Sequence, residues 1–284
     1  MSSKLPPCVL TIAGSDSGGG AGVQADARTI HALGGFACMA ITAITAQNTR
    51  GVKSWSPQPP DVIAAQIAAV LGGKPARKTR SRRSSGVAAV DGALPIRAIK
   101  TGLLPGADAV RAVAQAVAGA SDIPLVVDPV IGSTSGTTFL DAGGIRALRD
   151  ELLPHAALVT PNWPEAEALM DQQVHTFVDA EQVAVALARR CGCAVLVKGG
   201  HAPGDECHDC LVTRDGQVHW FESPRIQTAN THGTGCVLSS AIATNLALGH
   251  SLESSVERAR KFLQDGLRSG RRLHWGGAGP AFVG

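Results

Sequence analysis

Val9-Leu-Thr-Ile-Ala13, followed at once by Gly14-Ser-Asp-Ser-Gly-Gly-Gly-Ala-Gly22, is the stretch that decides the fold. The first five residues carry no charge and read as a buried strand. The next nine contain five glycines, which let the backbone turn sharply and approach a ligand closely. Residues 21–33 then read as a helix. This unit recurs along the chain. Strands are expected at 37–45, 96–101, 124–128, 157–160 and 194–198. Helices are expected at 61–71, 107–118, near 142–153, at 164–170, 179–190, 235–248 and 252–267. Residues 211–221, with Asp215-Gly216 in the middle, read as a β-hairpin.

Strands without alternation, separated by helices, imply an α/β fold: a central, mostly parallel sheet flanked by helices on both faces. In such folds ligands sit beyond the carboxyl ends of the strands. The polar and Gly-rich residues of this chain fall there: Gly14 to Gly18, Gln47-Asn48, Gly102, Asp128-Pro129, Thr160-Pro-Asn162 and Lys198-Gly-Gly-His201.

Composition narrows the classes. At 284 residues and 44% hydrophobic content the chain can build a substantial core. Only 4% of it is aromatic and none is Tyr, which argues against base-stacking platforms for nucleic acid. The net charge of +3 is local in origin: Lys74, Arg77, Lys78, Arg80, Arg82 and Arg83 have no acidic residue near them, and the rest of the chain is net negative. The segment 72–95 is expected as a flexible, basic surface insertion. Seven scattered cysteines fit reduced thiols, the start of the chain has no apolar signal core, and no run of apolar residues is long enough to span a membrane, so a cytoplasmic protein is expected.

Three motifs carry chemistry. The first is the turn beginning at Gly14, read either as a tight turn or as a loop cradling a substrate. It matches a dinucleotide fingerprint in part, but the acidic residue that would hold a ribose is missing. The second is Asn162-Trp-Pro-Glu165. It is a sound helix start, with Asn as cap and Glu closing a capping box. The same geometry offers a carboxylate and an amide to a hydrated Mg²⁺ on a nucleotide. The third is Thr231-His-Gly-Thr-Gly-Cys236 before an expected helix. Its backbone N–H groups and helix dipole make an anion hole for a transferring phosphoryl group. Cys236 sits where a thiol pKa tends to fall; the bland alternative is a buried Cys at a helix start. A weaker motif, Cys207-His-Asp-Cys210, lacks the second pair a zinc site needs.

Together with Ile41 to Gly51, Asp128-Pro-Val130, Thr160 to Ala166, Val197 to His201 and Asn230 to Cys236, the first stretch (Thr11 to Asp26) resembles the hydroxymethylpyrimidine/phosphomethylpyrimidine kinases of thiamine biosynthesis, in the ribokinase-like superfamily. The resemblance spans most of the chain and implies a single ribokinase-like domain over residues 1–284. It implies that ATP, with Mg²⁺, phosphorylates 4-amino-5-hydroxymethyl-2-methylpyrimidine and then its monophosphate in one site. By that resemblance Gln47, Asp26 and Gly14 hold the pyrimidine. Asp128, Asn162, Glu165 and Thr234 surround the nucleotide phosphates, with Asp128 and Glu165 reaching Mg²⁺ partly through water. Cys236, Gly233, Gly235 and Lys198 carry the transfer, Cys236 as the base. A homodimer is also implied, with neither nucleic acid nor membrane as partner. Two departures stand out: Leu103 replaces a family Met at the pocket wall, and Thr134 stands where a basic residue is frequent.

The related pyridoxine/pyridoxal kinases are the alternative within enzymes; Gln47 and Cys236 favour the pyrimidine. A catalytically inactive ligand-binding or regulatory protein is the alternative of another class, and the retention of Asn162, Glu165, Lys198 and the Gly233 to Cys236 turn argues against it.

Overall fold

Cys8–Ala13, strand β1, is buried at all six positions. Each Leu or Ile so buried contributes about 1.5–3 kcal/mol of hydrophobic stabilisation, and both faces of the strand must be covered. The computed structural model describes residues 5–72, 93–133, 136–202 and 204–283. The expected insertion 72–95 lies outside the described residues except at its two ends, as does Thr134.

From β1 the chain runs through α1 (Gly22–Ala32), β2 (Phe36–Ile41), β3 (Ala43–Asn48), β4 (Gly51–Pro57) and α2 (Pro60–Leu71). It continues with β5 (Ile96–Thr101), α3 (Gly106–Val117), β6 (Leu125–Val127), α4 (Ala142–Ala147), β7 (Leu158–Val159), α5 (Trp163–Met170) and α6 (Phe177–Cys191). Last come β8 (Ala194–Val197), β9 (Glu206–Val212), β10 (Val218–Pro224), α7 (Thr234–Ala247) and α8 (Leu252–Gly270).

Among the described residues one sheet has eight strands in the order β10-β9-β8-β7-β6-β5-β1-β2. It is parallel from β8 to β2, and β9 and β10 add an antiparallel edge. Alternate residues of the central strands face two cores. Leu10, Ile12, Leu125, Val127, Val195 and Val197 pack with residues of α2 to α6 on one side. Val9, Ala98, Val126, Leu158 and Leu196 pack with α1, α7 and α8 on the other. The expected α/β architecture is therefore present. Among the described residues no helix is long and apolar enough to cross a membrane.

Three local expectations need correction. Residues 37–45 are not one strand. The chain leaves the large sheet at Thr42, whose N–H donates to Ala13 O and whose hydroxyl donates to Leu103 O. β3 then pairs with β4 in a separate antiparallel hairpin. No turn residue marks the break, because tertiary contacts make it, and Gly51–Pro57 is too polar to have read as a strand. Second, the expected helix 142–153 is α-helical only to Ala147; a wider turn over Leu148–Leu152 and a tight one over Leu153–His155 follow. Third, the hairpin is longer than 211–221, although its turn does centre on Asp215-Gly216, with Gly216 at φ 89°. Cys207 and Cys210 both lie in β9. Three residues apart on a strand, they point to opposite faces.

The sheet top is closed by short polar turns. After β8 the backbone enters a tight turn at Gly199–His201. The Gly199 N–H donates to Asp209 Oδ1 at 2.7 Å, and a Cβ at Gly199 would lie 1.9 Å from the His208 carbonyl oxygen. That neighbour is ladder backbone and cannot swing aside. Gly199→Ala is therefore expected to destabilise the protein by about 1–3 kcal/mol, read by urea unfolding; a change within about 0.5 kcal/mol would show that β9 gives way.

Candidate active site

Six sequence-predicted residues meet at the carboxyl ends of β6, β7 and β8. Asp128 follows β6, Asn162 and Glu165 open α5, and Lys198 follows β8. The capping box expected from the sequence is formed. Glu165 N–H donates to Asn162 Oδ1 at 2.9 Å, and Asn162 N–H donates to Glu165 Oε2 at 2.7 Å. The box does more than start a helix, because it aims the Glu165 carboxylate at Lys198. Lys198 Nζ lies 3.0 Å from Asp128 Oδ1 and 3.7 Å from Glu165 Oε2. Gly235 and Thr234 complete this half: a Cβ at Gly235 would be 3.4 Å from both Asp128 Oδ2 and Lys198 Nζ, and Thr234 is the first residue of α7.

Burial works against every charge here, and the partners decide which charges survive. Lys198 is held well above the usual lysine range by Asp128 and Glu165, despite its burial. Asp128 is held below the usual carboxylate range by Lys198 and Lys100, again against burial. Glu165 goes the other way. Burial pushes it up to about 7, with Asp128 adding and Lys198 opposing. Two carboxylates of hard oxygen fit a Mg²⁺ ion carried by nucleotide phosphates. The Lys198 ammonium stands between them, so such an ion would be reached through water. Among the described residues no group of three or more His, Cys, Asp or Glu is placed to hold a metal by itself.

The other half of the site lies at the ends of β1 and β5. Gly14 follows β1, and a Cβ there would be 3.2 Å from Leu103 Cδ2 and 3.6 Å from the Ala43 side chain. Leu103, the departure noted in the sequence, thus does line this end. Gln47 is tied in through its backbone: its N–H donates to Ser17 Oγ, and the Ser17 hydroxyl donates to Gln47 O, each at 2.8 Å. The Gln47 amide is half-buried and bonds no described residue.

Asp26 is not where a substrate could touch it. Its side chain is 0% exposed. Both its oxygens accept from Lys100 Nζ at 2.9 Å, the Ser240 hydroxyl donates to Oδ1 at 2.6 Å, and the Thr11 hydroxyl donates to Oδ2. The carboxylate is consumed in fixing Lys100.

Cys236 bridges the two halves from the first turn of α7. The N–H groups of Thr234 and Val237 are taken by Thr231 O and Gly233 O, which leaves those of Gly235 and Cys236 for an anion. Gly233 takes φ 77°, and a Cβ there would sit 1.9 Å from Gly20 O. Only glycine lets the two Gly-rich loops touch. That contact brings the N-termini of α1 and α7 together, with the Gly22 N–H near enough to the Cys236 thiol to favour its ionisation. The thiol does not show the fall expected at a helix start. Burial pushes it up to about 12; Lys100 and the Gly22 N–H pull it down, while Asp26 and Asp128 push the same way as burial.

Lys100, Ser239, Ser240, Asp16 and His232 are the site residues that sequence reasoning missed. Ser239 Oγ lies 3.4 Å from Asp128 Oδ2. His232 Nε2 meets Asp16 Oδ2 at 2.9 Å, and Asp16 also accepts from the Gly18 and Ala21 N–H groups. This clamp locks the loop after β1 to the loop before α7. A readable signal for Lys100 existed: a lysine directly after Ala98-Ile99, one residue before the end of an expected strand.

A family model described as phosphomethylpyrimidine kinase matches residues 16–79 and 85–281. The chain belongs to that family. It is 38% identical to the hydroxymethylpyrimidine/phosphomethylpyrimidine kinase of Streptomyces coelicolor, over 97% of this chain and 93% of that one. The solved phosphomethylpyrimidine kinase of Clostridium difficile 630 superposes with a TM-score of 0.75 at 33% identity, covering 92% of this chain and 99% of that one. Bacillus subtilis pyridoxal kinase, solved as an ADP complex, gives 0.83 at 29% identity over 98% and 97%. The fold is thus that of the ribokinase-like kinases.

The raised Glu165 makes a stability test. A carboxylate whose folded pKa is raised stabilises the fold at low pH, and that contribution is lost as pH climbs from the unfolded value, 4.5, through about 7. In metal-free buffer Glu165→Gln, which can keep the capping box, is expected to match the parent at pH 5. At pH 8 it should be more stable by about 1–3 kcal/mol. A difference that does not change with pH, followed by urea unfolding, would contradict the assignment.

Proposed function

We propose that this chain phosphorylates 4-amino-5-hydroxymethyl-2-methylpyrimidine and then its monophosphate, in thiamine biosynthesis, with ATP as donor. The observation that carries the reading is Cys236 at the free N–H end of α7, between a charged pocket for phosphates and a half-buried amide at Gln47. Mg-ATP supplies the phosphoryl group and part of the charge neutralisation. Lys198, Asp128 and Glu165 orient its phosphates. The Gly235 and Cys236 N–H groups stabilise the charge that develops on the transferring group. Gln47, which both donates and accepts, holds the pyrimidine edge, while Gly14 lets the ring approach the backbone beside Leu103. Cys236, in its ionised form, takes the proton of the acceptor hydroxyl as the new oxygen–phosphorus bond forms; burial keeps that form scarce, so turnover should rise with pH.

The likeness to a pyridoxal kinase favours a second acceptor of similar shape, a ring bearing a hydroxymethyl group. We place the reaction in the cytosol, where ATP is present and the unpaired cysteines stay reduced. A homodimer is proposed through the β2 edge, where Phe36, Met39 and, on β3, Ile44 are exposed; light scattering at the mass of one chain would contradict it.

Mass spectrometry of products tests the function. Incubation with Mg-ATP and hydroxymethylpyrimidine is expected to give the monophosphate and then the diphosphate. Phosphate appearing on pyridoxal alone, in a parallel tube, would reassign the acceptor, and no product in either would overturn the reading. Cys236→Ala is expected to lower kcat about 10²–10⁴-fold with ATP binding retained.

A further inference from the structure

Lys100 is one of the largest fully buried side chains of the protein, and it is charged. It lies in β5, inside the sheet between β6 and β1, where an apolar side chain would fill the space at lower cost. Its ammonium rises to the sheet top: a Cβ at Gly102 would be 2.9 Å from Nζ. Asp26 from α1 holds it there, and Thr11 from β1 and Ser240 from α7 hold Asp26. Ser240 lies one helical turn after Cys236, on the same face of α7. The ammonium is therefore tied, through Asp26 and Ser240, to the helix that carries the thiol in its preceding turn.

The pair is unevenly satisfied. Asp26 receives donors from three residues. The ammonium has three protons, and among the described residues only Asp26 accepts from it. We propose that Lys100 is a positioning residue of the kinase reaction, whose fixed positive charge lets Cys236 act as the base. The proposal deepens the reading above and rests on Cys236 having that role.

The electrostatic surroundings agree. Of the groups that act on Cys236, Asp26 on α1 and Asp128 after β6 oppose its ionisation, while Lys100 and the Gly22 N–H favour it. Lys198, the other cation near the thiol, is already shared by Asp128 and Glu165. In the transfer, the thiolate accepts the hydroxyl proton and becomes a thiol. The acceptor oxygen forms its bond to the γ-phosphorus, and the bond between that phosphorus and the bridging oxygen breaks. That electron pair leaves with ADP. The thiol then returns its proton to water before the next turnover.

The test compares Lys100→Met, the double variant Lys100→Met/Asp26→Asn, and Cys236→Ala with the parent. Lys100→Met carries the test, with its folding checked by thermal unfolding; the double variant leaves no unpaired charge buried but also removes Asp26, which opposes ionisation of Cys236, so it should give back part of the effect. Lys100→Met is expected to keep KM for ATP within about threefold of the parent, to lose at least about tenfold in kcat at pH 8, and to show the ascending limb of kcat at least about one pH unit higher. The pH dependence of Cys236 alkylation by iodoacetamide, read on the Cys236 peptide, should move the same way. A folded Lys100→Met variant with kcat within about threefold and an unmoved limb would overturn the proposal while Cys236→Ala still abolished turnover. Full turnover by Cys236→Ala would instead remove the base reading, and this proposal with it.

Discussion

Four elements converge on one carboxylate. Asp26 from α1 takes Lys100 from β5, Thr11 from β1 and Ser240 from α7, all out of contact with water. Removing either partner of such a pair costs about 3–5 kcal/mol, because the other charge is left unpaired. The pair is thus a geometric constraint: it fixes where α1 and α7 stand on the sheet. Their N-termini meet only because of it and because Gly233 lets the chain touch Gly20. The free N–H groups at the start of α7 and the Cys236 thiol inherit their positions from this junction.

A second, largely enclosed cation repeats the device at the ends of β6 to β8. Lys198 lies between Asp128 and Glu165, and α7 covers both sets of charges from above. The two ammonium groups differ in what they leave over. Lys198 faces two carboxylates, one of which is pushed towards neutrality by burial. Lys100 faces one carboxylate that other donors already satisfy. In the proposed reaction the Lys100 ammonium, held by that one carboxylate, would act on the thiol from inside the fold. Backbone N–H groups and buried cations of this kind need no reorganisation at the moment of reaction.

Much of this was legible in the sequence. Uninterrupted apolar strands gave the parallel sheet, and the polar residues after them gave the rim of the site. The capping box at Asn162 and Glu165 could be read residue by residue, because helix starts are local. Where contacts at long range decide, reading failed. The break at Thr42 is made by Ala13 and Leu103, and the pairing of β3 with β4 has no local signature strong enough to outweigh the polarity of Gly51–Pro57. Asp26 was placed at the substrate, since sequence shows a residue's type and not its partner; Lys100, its partner, is 74 positions away. Position at a helix N-terminus suggested a lowered thiol pKa for Cys236, whereas burial, invisible in sequence, pushes it up.

The most direct measurement is a crystal structure with a non-hydrolysable ATP analogue and hydroxymethylpyrimidine bound together. The account predicts the terminal phosphate against the Gly235 and Cys236 N–H groups and the acceptor hydroxyl within hydrogen-bonding reach of the Cys236 sulfur. The Gln47 amide should lie on the ring edge. A terminal phosphate bound away from the α7 N-terminus, or a hydroxyl turned from Cys236, would contradict it.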